Sequence, residues 1–250
     1  MNRDFSISAS RIAEGIWCFE QSSVRSFLIE GEKSALVVDA LHGGDLLSEI
    51  KKVTDKPLQL VLTHSDQDHI GCDTQFGTVR LSPAEFARYR AKRPHRMQMQ
   101  ALSDGEIIDV GGFRFRVLLI PGHTPGSIAL FEEERRFIIS GDSVQTGPIY
   151  MFGEGRSVEA LNDSLRKLQK LDGKVDEFLS SHHELQVPFS ALGELISLTD
   201  DVLAGSLPEA QNAPPFLPEN VKIYSKGSVA LLLTEPAWVP GCEIQKGGSK

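Results

Sequence analysis

Cysteine is scarce in this chain of 250 residues. The three that occur, Cys18, Cys72 and Cys242, are odd in number and far apart. That excludes a disulfide framework and a CxxC thiolate clamp. No run of apolar residues is long enough to span a bilayer, so no membrane association is expected. Basic charge is in deficit, with 26 Lys and Arg against 34 Asp and Glu. A net charge of -8 provides no global basic field for nucleic acid or an anionic membrane. The opening MNRDFSISAS has no apolar core of signal-peptide length, so a cytoplasmic location is expected. Low-complexity tracts, short repeats and strong linkers are all missing. A single domain over residues 1–250 is expected, long enough to bury a sizeable core.

What is present is an alternation of strand-like and helix-like stretches. RIAEGIWCFE, VRSFLIEG and SALVVDA read as three early strands, with Gly31 as a break. GGDLLSEIKKV has helical spacing with Asp45 near its start, and SPAEFARYRAK reads as a short helix capped by Ser82 with Pro83 in its first turn. LQLVLTH, FRFRVLLIPG, SIALFEEE, RFIISGD and EFLSSH read as strands. SVEALNDSLRKLQKL puts Val158, Leu161, Leu165, Leu168 and Leu171 on one helical face. PFSALGELISLTDDVLAG reads as a helix with Pro188 near its start and Gly205 just past its end, and VKIYSKGSVALLLT as a closing hairpin. Such mixing predicts an α/β fold, with sheets covered by helices on both faces.

Four polar clusters follow apolar strands: THSDQDH (His64, Asp66, Asp68, His69), PGHTPGS (His123), SGD (Asp142) and SSHH (His182, His183). In sheet-based α/β folds such strand ends gather at one edge and form the ligand crevice. Imidazole nitrogens and carboxylate oxygens are ligands for zinc, iron or manganese. A lone histidine such as His42 or His95 reads as a surface or hydrogen-bonded residue. Placement of at least four of the 7 histidines after apolar runs points instead to a metal centre.

With these clusters in order, the chain resembles the metallo-β-lactamase superfamily, whose signature is His-x-His-x-Asp-His followed by a later His, Asp and His. The resemblance runs from the early strands and LVVDA to the closing hairpin. It implies an αββα four-layer sandwich with two divalent metal ions at one edge, zinc being the expected metal and iron or manganese the alternatives. Carried over by position, His64, residue 66 and His123 would hold the first ion. Asp68, His69 and His182 would hold the second, and Asp142 would bridge. His183 stands where the family has glycine, and adjacent residues of an extended segment point opposite ways, which favours His182. The chain departs from the pattern at Asp66, where the family has histidine. Asp66 would ligate, be too short to reach, or hydrogen-bond a neighbouring ligand; ligation is the favoured expectation.

A metal pair can hold a hydroxide and polarise a carbonyl or phosphoryl oxygen, with Asp68 as the catalytic residue that orients the nucleophile or shuttles a proton. The expected function is a metal-dependent hydrolase of a small ester, thioester, lactone or amide. The alternative is an iron-dependent oxidoreductase that reduces dioxygen or oxidises a persulfide, suggested by the carboxylate at 66. Nuclease activity fits poorly, for want of a basic groove. The expected partner is a small-molecule substrate, without nucleic acid or membrane, and an exposed apolar loop would support a homodimer. Cys72 reads as a small buried residue. Lys92, Arg93, His95 and Arg96 form a solvated loop or an anion-recognising rim. Tyr150, Met151 and Phe152 line the pocket or pack the core, and NAPPFLPEN is a connector or a lid.

Overall fold

Gly15 takes a φ of +70° and turns the chain back on itself within RIAEGIWCFE. The stretch expected to be one strand therefore belongs to two, β1 (Ser8–Ala13) and β2 (Ile16–Gln21). Glycine adopts this left-handed conformation without steric cost. The computed structural model describes residues 5–93 and 97–235, so His95, Arg96 and Cys242 lie outside the described residues.

The chain continues through β3 (Val24–Glu30), β4 (Ala35–Val38), α1 (Leu46–Lys51), β5 (Leu58–Val61), β6 (Thr78–Leu81), α2 (Phe86–Lys92) and β7 (Gln98–Ala101). The first sheet pairs its seven strands in chain order, antiparallel up to β4 and parallel from β4 to β7. Then come β8 (Ile107–Asp109), β9 (Arg114–Leu119), β10 (Ile128–Glu132) and β11 (Phe137–Gly141). β12 (Gly147–Tyr150) leaves this sheet, and α3 (Val158–Gln169) returns the chain to it as β13 (Glu177–Ser180) and β14 (Gln186–Pro188). The second sheet has the order β14-β13-β11-β10-β9-β8. After α4 (Ala191–Leu203), strands β15 (Gln211–Asn212), β16 (Val221–Lys226) and β17 (Val229–Thr234) join β12 in a third sheet. Pro188 ends β14 rather than opening α4, which is preceded by Ser190.

Alternation along the strands sorts side chains into layers. Phe27, Ile29, Leu36 and Val38 of the first sheet meet Phe115, Val117, Leu130 and Ile139 of the second in the inner core. The intervening Leu28, Ala35 and Val37 face the other way, against Leu46 and Ile50 of α1 and Tyr89 of α2. On the far side, Ala129, Phe131 and Ile138 pack with Leu161, Leu165 and Leu168 of α3 and Leu192 and Leu195 of α4. The result is the αββα four-layer sandwich expected from the sequence. The third sheet adds Ile149, Leu231 and Leu233 to that outer layer.

The strand directions decide where the polar clusters go. β11 and β13 are parallel, and β9 runs the same way because each pairs antiparallel with β10 or parallel with its neighbour. The ends of β9, β11 and β13 therefore open at one edge. The first sheet joins that edge through the Ile128 N–H, which donates to the Thr63 carbonyl at 2.9 Å. Gly71 and Gly141 allow the close approaches this needs. A Cβ on Gly71 would lie 2.0 Å from the His42 carbonyl carbon, and one on Gly141 would lie 2.7 Å from Thr63 Oγ1.

Candidate metal centre

All seven residues singled out in the sequence come together at this edge. His64 and His69 leave β5, His123 sits between β9 and β10, Asp142 follows β11, and His182 follows β13. The ligand atoms of His64, Asp66 and His123 lie within 4.8 Å of one another, as do those of Asp68, His69 and His182. Asp142 lies between the two groups. Its Oδ1 is 3.2 Å from His69 Nε2, and its Oδ2 is 3.3 Å from His182 Nε2 and 3.5 Å from His123 Nε2. His64 Nε2 is 3.9 Å from the same Oδ2. His183 is instead held in the left-handed region at a φ of 54°, and Arg25 bonds its carbonyl at 2.6 Å.

The rear nitrogen of each ring fixes which atom faces inward. His69 Nδ1 faces Asp39 Oδ2 at 2.8 Å. His182 Nδ1 donates to the Ser23 carbonyl. His64 Nδ1 is 3.0 Å from Thr63 Oγ1, whose own hydrogen goes to Asp39 Oδ2 at 2.7 Å. His123 Nδ1 is 3.1 Å from the Tyr150 carbonyl. With each Nδ1 engaged from behind, Nε2 is the ring nitrogen that faces into the cluster. His64 and His123 then oppose Nε2 to Nε2 at 3.3 Å. His69 Nε2 and Asp142 Oδ1 are buried without any hydrogen-bond partner. Lone pairs do not bond one another, and a buried unsatisfied polar atom costs roughly 1–3 kcal/mol. Divalent cations resolve the conflict, and nitrogen with carboxylate oxygen is a donor set that suits zinc, iron and manganese. The residues present therefore fit a metal.

The electrostatics carry the same demand for positive charge. Burial opposes charge on Asp142, yet the His182 and His69 rings outweigh it and hold the carboxyl well below its usual range. Burial also opposes charge on His69, but Asp142, Asp68 and Asp39 raise it well above its ordinary value. His182 is raised to about 10 against burial, by Asp142 and Asp68. His64 goes the other way, pushed well below its ordinary value by burial and then by the charge of His69.

Asp66 differs from its neighbours. Its Oδ1 accepts from Arg88 Nη2 at 2.7 Å and Lys92 Nζ at 3.1 Å, and its Oδ2 accepts from Arg156 Nη2 at 2.6 Å. Oδ2 also lies 3.5 Å from His123 Nε2 and 3.8 Å from His64 Nε2.

Supporting residues complete the site. Buried Asp39, in the left-handed region at a φ of 63°, accepts from Thr63 N and Oγ1, both at 2.7 Å, and from His69. Buried Glu85 accepts from Ser65 N at 3.0 Å and Gly126 N at 2.9 Å, tying the two histidine loops together. Neither role was read from the sequence, nor was that of Arg88 or Arg156. The one local signal was Asp39 in LVVDA, at a strand end. Lys92 belongs to the site, whereas Arg93 bonds Asp73 at 3.1 Å and braces the backbone at Ile70. Met151 packs in the outer core, while Tyr150 lines a cavity of about 870 Å³ in front of the cluster. Cys72 is buried. Phe216 of NAPPFLPEN reaches the cavity and is 77% exposed. No helix among the described residues is long and apolar enough to cross a membrane.

A family model described as the metallo-beta-lactamase superfamily matches residues 20–78 and 85–180. An uncharacterized protein of Aquifex aeolicus is 29% identical over 206 residues, which is 70% of this chain and 94% of that protein. A hydroxyacylglutathione hydrolase of Ectopseudomonas mendocina is 28% identical over 152 residues, 60% of this chain and 57% of that enzyme's length. The hydroxyacylglutathione hydrolase GloC of Haemophilus influenzae is 29% identical over 155 residues, 54% of this chain and 71% of that enzyme. Among solved structures, a metallo-beta-lactamase from Pontibacter korlensis shares the fold at a TM-score of 0.67 and 17% identity, over 78% of this chain and 100% of that one. A protein solved in a di-iron-bound form does so at 0.58 and 22%, over 69% of this chain and 93% of that one.

Proposed function

Because the chain belongs to the metallo-beta-lactamase superfamily, we propose that it is a metal-dependent hydrolase of a small ester, thioester, lactone or amide. The observation that carries the reading is the convergence of histidine Nε2 atoms on Asp142, with His69 Nε2 and Asp142 Oδ1 buried and unsatisfied. His64, Asp66 and His123 would hold one ion, Asp68, His69 and His182 the other, with Asp142 between them. When bound, such ions lower the pKa of water and polarise the carbonyl to be attacked.

The chain's own residues supply position and proton traffic. Asp39, Ser23 and Tyr150 lock the rings so that no histidine must turn as the reaction proceeds. Asp68 Oδ2, 3.3 Å from His182 Nε2, borders the cavity and is placed to take a proton from the attacking water and return it to the leaving group. Pro148, Tyr150, Phe216, Ile223 and Leu232 give the cavity an apolar wall, which suits a substrate with an apolar part beside its reacting carbonyl.

The relatives named for hydroxyacylglutathione hydrolysis support a thioester as the first class to test. Purified protein should hydrolyse at least one member of a panel of acyl and hydroxyacyl thioesters, esters and lactones. Chelation should remove the activity and zinc, manganese or iron should restore it. Turnover that survives complete chelation would contradict the proposal, as would a metal-loaded protein inert on the whole panel. The second reading, an iron-dependent oxidoreductase, is favoured by the carboxylate at 66 and by the fold's likeness to a protein solved with two irons. The ion pairs of Asp66 weaken it, because three cationic side chains already balance the extra negative charge that would favour iron at this position.

A further inference from the structure

We propose that the two halves of the cluster hold metal unequally. The Asp68–His69–His182 half, with Asp142, binds the tight ion, and the His64–Asp66–His123 half binds weakly because Arg156, Arg88 and Lys92 clamp Asp66. The inference rests on the metal reading above and adds an order of filling to it.

The clamp uses up Asp66 as a ligand. An ionised carboxylate offers about four acceptor directions. Three of them are taken by charged donors: Arg88 and Lys92 on Oδ1 and Arg156 on Oδ2. Charge-assisted bonds of this kind are among the strongest a side chain makes. The Asp66 side chain is only 16% exposed, so these bonds are largely shielded from solvent. Its negative charge is already matched, and exceeded, by three cations. Arg156 reaches further. Its Nη1 bonds the His123 carbonyl and lies 3.1 Å from His123 Nδ1. A fixed guanidinium thus stands against the back of a ring that would ligate a dication, which repels that ion and competes for the ring's tautomer. The clamp is itself anchored, since Arg156 Nε bonds the Phe152 carbonyl at 3.2 Å and Arg88 Nη1 bonds the Glu154 carbonyl at 3.2 Å.

The other half has the opposite character. Among the described residues, the ion-pair partners of Asp68 are His69 and His182, with no lysine or arginine. The carboxylate of Asp39 behind His69 makes that ring a stronger donor. The two buried unsatisfied ligand atoms, His69 Nε2 and Asp142 Oδ1, face each other at 3.2 Å on this side. One half therefore demands a cation, and the other already contains three.

The test is calorimetric titration of metal-free protein with zinc chloride, with a competing chelator to resolve the tight step. One equivalent should bind at least about 100-fold more tightly than any second. His182→Ala should remove the tight step, and His123→Ala should leave it. Arg156→Gln should narrow the gap about tenfold or more, with Arg88→Gln as the milder companion if Arg156→Gln fails to fold. Two equivalents binding within tenfold of each other would overturn the inference, and so would loss of the tight step in His123→Ala alone. Two equal sites together with metal-dependent hydrolysis would refute the unequal filling and leave the hydrolase standing. Absence of any zinc binding would remove both.

Discussion

Replacing Asp68 with asparagine is expected to lower kcat by about 10²–10⁴-fold, the range that positioned acid–base groups contribute. The fold should tolerate the change. The Asp68 side chain is 26% exposed, and its ion-pair partners are the rings of His69 and His182. Asparagine keeps the shape and one acceptor oxygen but loses the charge and the ability to carry a proton. The carboxylate is ionised in the resting protein, since burial is outweighed by His69 and His182, which hold it well below its usual range. Metal content measured beside kcat separates two contributions. A fall in kcat with metal retained assigns the loss to proton transfer, and a parallel fall in metal assigns it to ligation. Full activity in Asp68→Asn would contradict the mechanism.

Replacing Asp39 with alanine should damage stability and metal affinity together. The carboxylate is 1% exposed and receives Thr63 N, Thr63 Oγ1 and His69 Nδ1. Removing one partner of a buried ionic network costs about 3–5 kcal/mol. In a chain of this size each kcal/mol lowers Tm by about 2–4 °C. Freed from Asp39, His69 can rotate and change tautomer, which lowers metal affinity by about 10–100-fold. Asp39→Asn should fall between, because it fills the space but can accept through only one atom. Thermal unfolding and zinc titration check both effects. An alanine variant with unchanged Tm and unchanged zinc affinity would show that Asp39 does not hold the site in place.

The site was legible in the sequence to the extent that its groups sit in local patterns. THSDQDH puts four polar groups immediately after a buried strand, and SGD and SSHH repeat the arrangement after β11 and β13. Helices on both faces of the sheets followed from the mixing of strand-like and helix-like stretches, the αββα order from the family resemblance, and α3 from the spacing of Leu161, Leu165 and Leu168. What escaped is what only pairing can bring together. Asp39 meets His69 because β4 and β5 lie parallel and adjacent, so their ends sit side by side. Arg156 reaches Asp66 across 90 residues of sequence, from a loop before α3 with no periodicity to mark it. Glu85 looks like an ordinary first-turn acid of a helix that begins SPAE, yet it is fully buried and turned toward Ser65 and Gly126. The β1–β2 boundary was missed because β-branched and aromatic residues flank Gly15 on both sides, and a single glycine does not reveal its φ.

The hydrolase proposal stands or falls on whether the His–Asp cluster holds metal. Elemental analysis of protein purified without chelators or affinity metal tests it most directly. At least one equivalent of zinc, iron or manganese per chain is expected, lost when His69 and Asp142 are both replaced by alanine. Protein that carries less than about 0.1 equivalent and takes up none from excess zinc, iron or manganese would contradict it.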